Sequence, residues 1–389
     1  MQLIELLQKN LYTISFASSA SKSEMSYPLE KLKINTYNIE INDSNFDDLV
    51  LKINPEFVIF DRFISEEQFG WRISETCPKA IKILDTEDLH FLRNARQMAF
   101  KDSNELSLKY LISDKTKREI ASIFRCDLSL IISKYELDLL IDTFKIDKNI
   151  LFYLPFLLDK IDITKFSNYP SFQERKNFMT IGNFKHEPNK NGVFFLKEKI
   201  WPIIHSKLPE AKLNIYGAYM PESIKQLHNE KEGFLIKGWA KNKEKVFTNS
   251  RICLAPLIFG AGLKGKLVDG MDYGTPSITT NIGAEAMHDD LDWNGFIVDD
   301  LKEFAMRSVE LYTNEELWKK AQENGISIIN QCFNKTNHGK ALISKINTIF
   351  NNLEDHRLQN FIGTLLQHHS LQSTKHLSKW IELKNKKSN

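Results

Sequence analysis

The chain has 389 residues, 42% hydrophobic and 26% charged, with 52 basic against 50 acidic side chains and a formal net charge of +2. That is ordinary globular usage for two to three domains, and it excludes a disordered chain or a nucleic-acid binder. No apolar run approaches the roughly 20 residues of a membrane-spanning helix, MQLIELLQKN is not a signal peptide, and Cys77, Cys126, Cys253 and Cys332 are scattered without disulfide or zinc spacing, so a cytoplasmic protein is expected.

Along the chain, short apolar runs of strand length alternate with helical ones. YTISFAS (12–18), TYNIEI (36–41), FVIFD (57–61) and AIKILD (80–85) come first, followed by a helical stretch over about 105–124, then LSLIIS (128–133) and ILFYLPF (150–156). Near-continuous apolar strands separated by helices predict a parallel sheet covered on both faces. The periodicity fades through DKIDITKFSNYPSFQERK, which reads as a linker over 161–176. A second alternation then begins with FMTIGNF and continues through KLNIYG (212–217), FLIKGW (234–239), ICLAPL (252–257), PSITT (276–280) and GFIVDD (295–300). From about 304 the chain reads as helical. The expectation is an α/β protein: an amino-terminal Rossmann-like lobe over 1–160, a second over 177–350, and a helical tail over 351–389.

The segment PLIFGAGLKGKLVDGMDYGTPSITTNIGAEAM, 256–287, carries the chemistry. A predicted strand runs into Gly260, Ala261, Gly262, Leu263, Lys264, Gly265 and Lys266, and a helix opens near Leu267. Glycines let backbone amides approach a ligand, and a helix amino terminus offers unpaired N–H groups with partial positive charge. With the ammonium groups of Lys264 and Lys266 beside them, a phosphate or diphosphate is the sensible guest, and Asp269 stands where a carboxylate could accept from ribose hydroxyls. The alternative is a plain strand-to-helix turn with solvated lysines and Asp269 as a helix-start charge.

The combined pattern resembles the retaining glycosyltransferases of family 4, whose carboxy-terminal lobe reads G-x-G-x-K-x-K, an acidic residue, then G-x-P-V-V-x-T and often G-A-E-G. Gly260, Gly262, Lys264, Lys266, Asp269, Gly274, Pro276, Thr279, Thr280, Gly283, Ala284 and Glu285 follow that order. Upstream, Gly182 and Asn183 resemble the glycine-containing strand end that opens the donor lobe, with His186 and Asn189 in the loop that approaches the nucleotide. The resemblance spans about 178–312 and implies a GT-B fold: two Rossmann-like, doubly wound lobes facing a central cleft, with a helical carboxy-terminal end. It implies transfer of a sugar from a nucleotide-diphosphate donor with retained anomeric configuration, without metal or other cofactor, to a glycan, lipid or small-molecule acceptor. Many members carry Glu-x7-Glu; here Asp269 takes the second place and Ala261 the first, and Asn183 stands where an arginine often assists the diphosphate. A GT-B amino lobe normally opens with a strand and a glycine loop, whereas this chain opens with a helical segment, so the first strand is expected to be missing or to precede the recorded start. A GT-B nucleotide-sugar epimerase and a non-catalytic sugar-nucleotide-binding protein are the rival readings.

In the amino lobe, ILDTEDLHFLR offers Asp85, Glu87, Asp88, His90 and Arg93 beyond a strand's carboxyl end, the edge where ligands of open α/β sheets gather. The resemblance implies a His or acidic residue facing the reacting sugar, assigned to His90 and Asp88; the alternative is that Asp85 and Asp88 cap the next helix while His90 packs on its face. Asp61, Arg62, Glu66 and Glu67 could meet acceptor hydroxyls or form a solvated loop. Asp290 and Asp292 match an Asp-x-Asp metal motif by chance in an acidic loop, and His368, His369 and His376 lack partners at ligand spacing. Lys384, Lys386 and Lys387 leave peripheral contact with an anionic membrane open.

Overall fold

The computed structural model describes residues 1–21 and 26–388. The chain forms two compact units: the first comprises 1–91, 112–157 and 336–389, the second 92–111 and 158–335. All twelve strand segments expected from the sequence are present, FVIFD over the same residues and the other eleven shortened or shifted by a few residues at their ends.

In the first unit, helix α1 (Gln2–Lys9) precedes β1 (Ser15–Ser18), which pairs in parallel with β2 (Asn35–Asn38) as a small separate sheet. A four-stranded parallel sheet holds β3 (Phe57–Asp61), β4 (Ile81–Asp85), β5 (Leu128–Ile131) and β6 (Leu151–Tyr153) in sequential order. The expected solvated loop after β3 is instead the start of helix α2 (Arg62–Thr76). Glu66, on its first turn, is fully buried against Arg125, whose Nε donates to Oε1 at 2.9 Å, so an acceptor hydroxyl cannot reach it. After β4 comes α3 (His90–Lys101), and the helical run expected over 105–124 is broken before α4 (Asp114–Arg125). The break is a capping box in which Ser113 Oγ accepts from Thr116 N and Thr116 Oγ1 accepts from Ser113 N.

The second unit is built on six parallel strands: β7 (Lys176–Asn183), β8 (Leu213–Ala218), β9 (Phe234–Gly238), β10 (Ser250–Ala255), β11 (Ser277–Thr279) and β12 (Gly295–Ile297). Their order is β12-β11-β10-β7-β8-β9, so the chain winds one way from β7 to β9 and the other way from β10 to β12. The switch point lies between β7 and β10. Helix α5 (Glu187–Phe195) follows β7, and α6 (Gly265–Asp272) follows β10. The core is continuous and apolar, with Phe178, Trp201, Ile215, Phe234, Ile252, Phe304 and Trp318 all buried.

Residues 161–176, expected as a linker, pack with the second unit. Arg175 is fully buried there, its guanidinium donating to Phe247 O at 3.2 Å, Tyr273 O at 2.8 Å and Thr275 Oγ1 at 2.7 Å. The carboxy-terminal helices α7 (Lys335–Asn351), α8 (Leu353–Gln359) and α9 (Phe361–Ser388) return to the first unit from residue 336, ahead of the boundary expected at 350. The cause is apolar: Leu342, Ile346 and Ile349 share a core with Ile81, Ile83, Leu128 and Leu130. Arg357 then fixes α8 with a fork to Asp127, at 2.7 and 2.8 Å.

At the carboxyl ends of β7 and β8, Gly182 and Gly217 lie side by side, and a Cβ on Gly217 would stand 2.1 Å from the Gly182 carbonyl oxygen. Backbone cannot yield there as a flexible side chain would. Gly217→Ala is therefore expected to lower stability by about 1–3 kcal/mol, the usual cost of overpacking, read as an earlier midpoint in urea unfolding. An unchanged midpoint would contradict this packing.

Candidate active site

Ligands of open α/β sheets bind beyond the carboxyl ends of the strands at the switch point. In the second unit that place is bordered by the loop after β7 and the loop after β10. Of the sequence-assigned residues, Gly182 and Asn183 end β7, His186 lies in the loop after it and Asn189 in the first turn of α5, while Gly260, Ala261, Gly262, Leu263 and Lys264 lie on the loop after β10 and Lys266 in the first turn of α6. The structure joins the two: Lys266 Nζ donates to Asn189 Oδ1 at 2.8 Å, and Asn189 Nδ2 donates to Asn183 O at 2.8 Å. His186 is the residue immediately before α5 and supplies its backbone carbonyl to Asn189 N at 3.1 Å.

The glycine loop turns back on itself. Gly262 adopts φ +62°, a left-handed conformation that a side chain disfavours. Lys264, only 9% exposed, precedes α6 and sends its Nζ to the carbonyl of Gly262 at 2.6 Å. Its backbone carbonyl accepts from Leu267 and Val268, the first closed turn of α6. The N–H groups of Gly265 and Lys266 precede that turn and have no intrahelical acceptor. Lys266 meets an amide oxygen in place of a carboxylate, and burial lowers its pKa to about 8.

Asp269, one turn into α6, pairs with Lys243 at 2.7 Å; burial raises its carboxyl pKa and the Lys243 charge opposes that rise. Glu285 is held by Arg96, which donates from Nη1 and Nη2 at 2.9 and 2.7 Å, and the same Nη1 reaches the carbonyl of Gly260 at 2.8 Å. Arg96 belongs to the 92–111 segment that packs with the second unit. Sequence reasoning passed over both cations. No local pattern marks Lys243, and Arg96 stands 189 positions from Glu285.

In the first unit the structure brings Asp88 and His90 together, with His90 Nε2 3.4 Å from Asp88 Oδ1 and the imidazole edge-on to Phe63. The caps of α3 come from elsewhere. Glu119 Oε1 and Oε2 accept from the N–H groups of His90 and Phe91 at 3.0 and 2.9 Å, and Glu136 accepts from Leu89 at 3.0 Å. Burial raises Glu119 to about 8 despite those two donors, and raises Asp85, at the end of β4, to about 7 with help from the neighbouring Glu87. Asp290 and Asp292 are exposed, and among the described residues no group of three His, Cys, Asp or Glu could hold a metal ion. His369, Lys386 and Lys387 have side chains outside the described residues.

A doubly wound sheet with a basic glycine loop at its switch point places the chain among open α/β folds whose ligands gather at that edge. Comparison with known proteins narrows that placement. Residues 175–314 match the family described as Glycosyl transferases group 1. The chain is 25% identical over 299 residues to an uncharacterized 44.6 kDa protein in the cps region of Klebsiella pneumoniae, covering 72% of each. Among solved structures it resembles a glycosyltransferase from Rickettsia africae (TM-score 0.65, 15% identity, 90% of this chain and 94% of that one). It also resembles HepE of Anabaena, solved with UDP and glucose (TM-score 0.66, 12% identity, 89% and 95%). With S. aureus TarM, solved with UDP among its ligands, the TM-score is 0.60 at 14% identity, and this chain spans 58% of that longer one. The fold is GT-B.

Arg96 neutralises Glu285 and holds the start of the glycine loop, so its loss strands a largely buried carboxylate. Arg96→Met is expected to cost about 3 kcal/mol, at the lower end for breaking such a pair. The check is denaturant unfolding. A companion Arg96→Met/Glu285→Gln variant should recover much of the loss, because both charges are then gone.

Proposed function

We propose that the chain transfers a sugar from a nucleotide-diphosphate donor to an acceptor in glycan or glycoconjugate biosynthesis, with the anomeric configuration retained and no metal ion in the reaction. The observation that carries this reading is the pair Lys264 and Lys266 on the glycine loop at the switch point, one donating to backbone carbonyls and the other to an amide oxygen. Support comes from the group 1 match and from neighbours of the same fold solved with UDP.

In the reaction the bond from the anomeric carbon to the diphosphate oxygen breaks, and its electron pair stays on the diphosphate. The acceptor hydroxyl oxygen bonds to the anomeric carbon and passes its proton to the departing phosphate oxygen. Charge therefore builds on the departing phosphate oxygens. An ammonium has three donors, and Lys266 spends one on Asn189, keeping others for those oxygens. Prearranged donors aimed at developing charge act where stabilisation lowers the barrier. Asp269 is assigned to the ribose, exchanging Lys243 for hydroxyl donors or sharing its two oxygens between them. His90 and Asp88 are assigned to the sugar or acceptor side.

Lys266→Ala is expected to weaken UDP binding by about 1.5–3 kcal/mol, the worth of a hydrogen bond to a charged group, and to slow transfer by about 2–4 kcal/mol. Titration calorimetry with UDP measures the first without knowledge of the acceptor, and equal affinity in the variant would remove the diphosphate assignment. The same residue sets a pH dependence. Lys266 is protonated below about 8 in the free protein, so UDP affinity should be level below that pH and decline above it. In Lys266→Ala that decline should be missing.

A further inference from the structure

Helix α9 (Phe361–Ser388) faces the first unit with polar groups and faces outward with apolar ones, the reverse of an ordinary amphipathic surface helix. Inward, Gln367 Nε2 donates to Arg125 O at 3.0 Å. Arg72, 2% exposed and paired with Asp47 at 2.6 Å, reaches Ser378 Oγ at 3.4 Å and Glu382 at 3.8 Å. Lys375 pairs with Glu75. Leu366 and Ile381 are half-buried. Because Arg72 is itself immobilised in the core, these ties set the rotation of the helix about its axis.

Outward stand Phe361, Ile362, Leu365, Leu377, Trp380 and Leu383, between 44% and 71% exposed. Ile362 and Trp380 are about five helical turns apart, as are Leu365 and Leu383, so both pairs share one side. Leu358, on α8, extends the patch at 78% exposure. Two exposed apolar clusters on one side of a helix, 361–365 and 377–383, suit an interaction surface. Its flanking charge indicates the partner. Lys375 and Lys379 pair with Glu75; beyond them Lys384, Lys386 and Lys387 follow Glu382 in the sequence and give this end of the helix a basic excess. Lys384 Nζ lies 5.3 Å from the Trp380 ring centroid, joining an ammonium to the aromatic.

We infer that this face of α9 docks in the plane of an anionic lipid bilayer, with Trp380, Leu383 and the Phe361–Leu365 turn entering the headgroup boundary and the lysines meeting lipid phosphates. No described helix is long and apolar enough to cross a membrane, so the mode is interfacial.

The experiment floats the full chain with vesicles of phosphatidylglycerol and phosphatidylethanolamine, and separately with phosphatidylcholine alone. The expected result is co-flotation with the anionic vesicles, about tenfold less with the neutral ones, and loss of binding in high salt. Trp380→Ser/Leu383→Ser should reduce binding about tenfold while its thermal midpoint and UDP affinity match the parent, and Lys384→Glu should weaken binding at low salt. The inference is overturned if the parent does not float with anionic vesicles, or if the double variant floats equally well. It is also overturned if light scattering finds a parent dimer that the double variant dissolves, since a second copy would then cover the face.

Discussion

The candidate site depends on the parallel pairing of β7 with β10, which brings two segments far apart in sequence to a common edge. Ser250 stands opposite Lys176 and Cys253 opposite Met179, so both strands deliver their following loops to the same end of the sheet. Had the connection been a hairpin, the two loops would have emerged at opposite ends. The Lys266–Asn189 bond follows from this register. Gly217 matters for the same reason, because any side chain there would push β8 away from the carboxyl end of β7.

The sequence was most legible where the determinant is local. A buried parallel strand needs an unbroken apolar run, and FVIFD is strand over the residues read from it, 57–61. The glycine loop was legible because each glycine and lysine has a fixed offset from a strand end. Pairing across long separations was not legible. Arg96 carries no mark of its destination, since an arginine in the middle of a helix is usually a solvated one. Glu119 and Glu136 likewise read as helix-face charges, yet both cap α3, 28 to 47 residues away from the amides they accept. Asp88 was a natural guess for that role because caps are normally supplied from the adjoining residue. Here α3 is capped by tertiary neighbours, which leaves Asp88 beside His90.

The carboxy-terminal helices show why the second boundary was misplaced. Charged faces and the absence of turn signals made 304–350 look continuous with the second unit. The apolar positions of α7 instead complete the core under β4 and β5, and burial of Leu342, Ile346 and Ile349 there outweighs sequence proximity. Once α7 has crossed, α9 is tied to the first unit by polar contacts together with half-buried Leu366 and Ile381, while Trp380 and Leu383 lie outside that packing.

Charge balance around the glycine loop gives the site its direction. Asp269 has Lys243 and Glu285 has Arg96, so each carboxylate there is matched by a cation that is not on the loop. Lys264 and Lys266 donate to carbonyl and amide oxygens, which hold their ammonium groups in place beside a helix amino terminus, where the backbone dipoles also place partial positive charge. Burial lowers the pKa of Lys266 to about 8, and a negatively charged group beside its ammonium would oppose that shift, since an opposite charge favours the charged form.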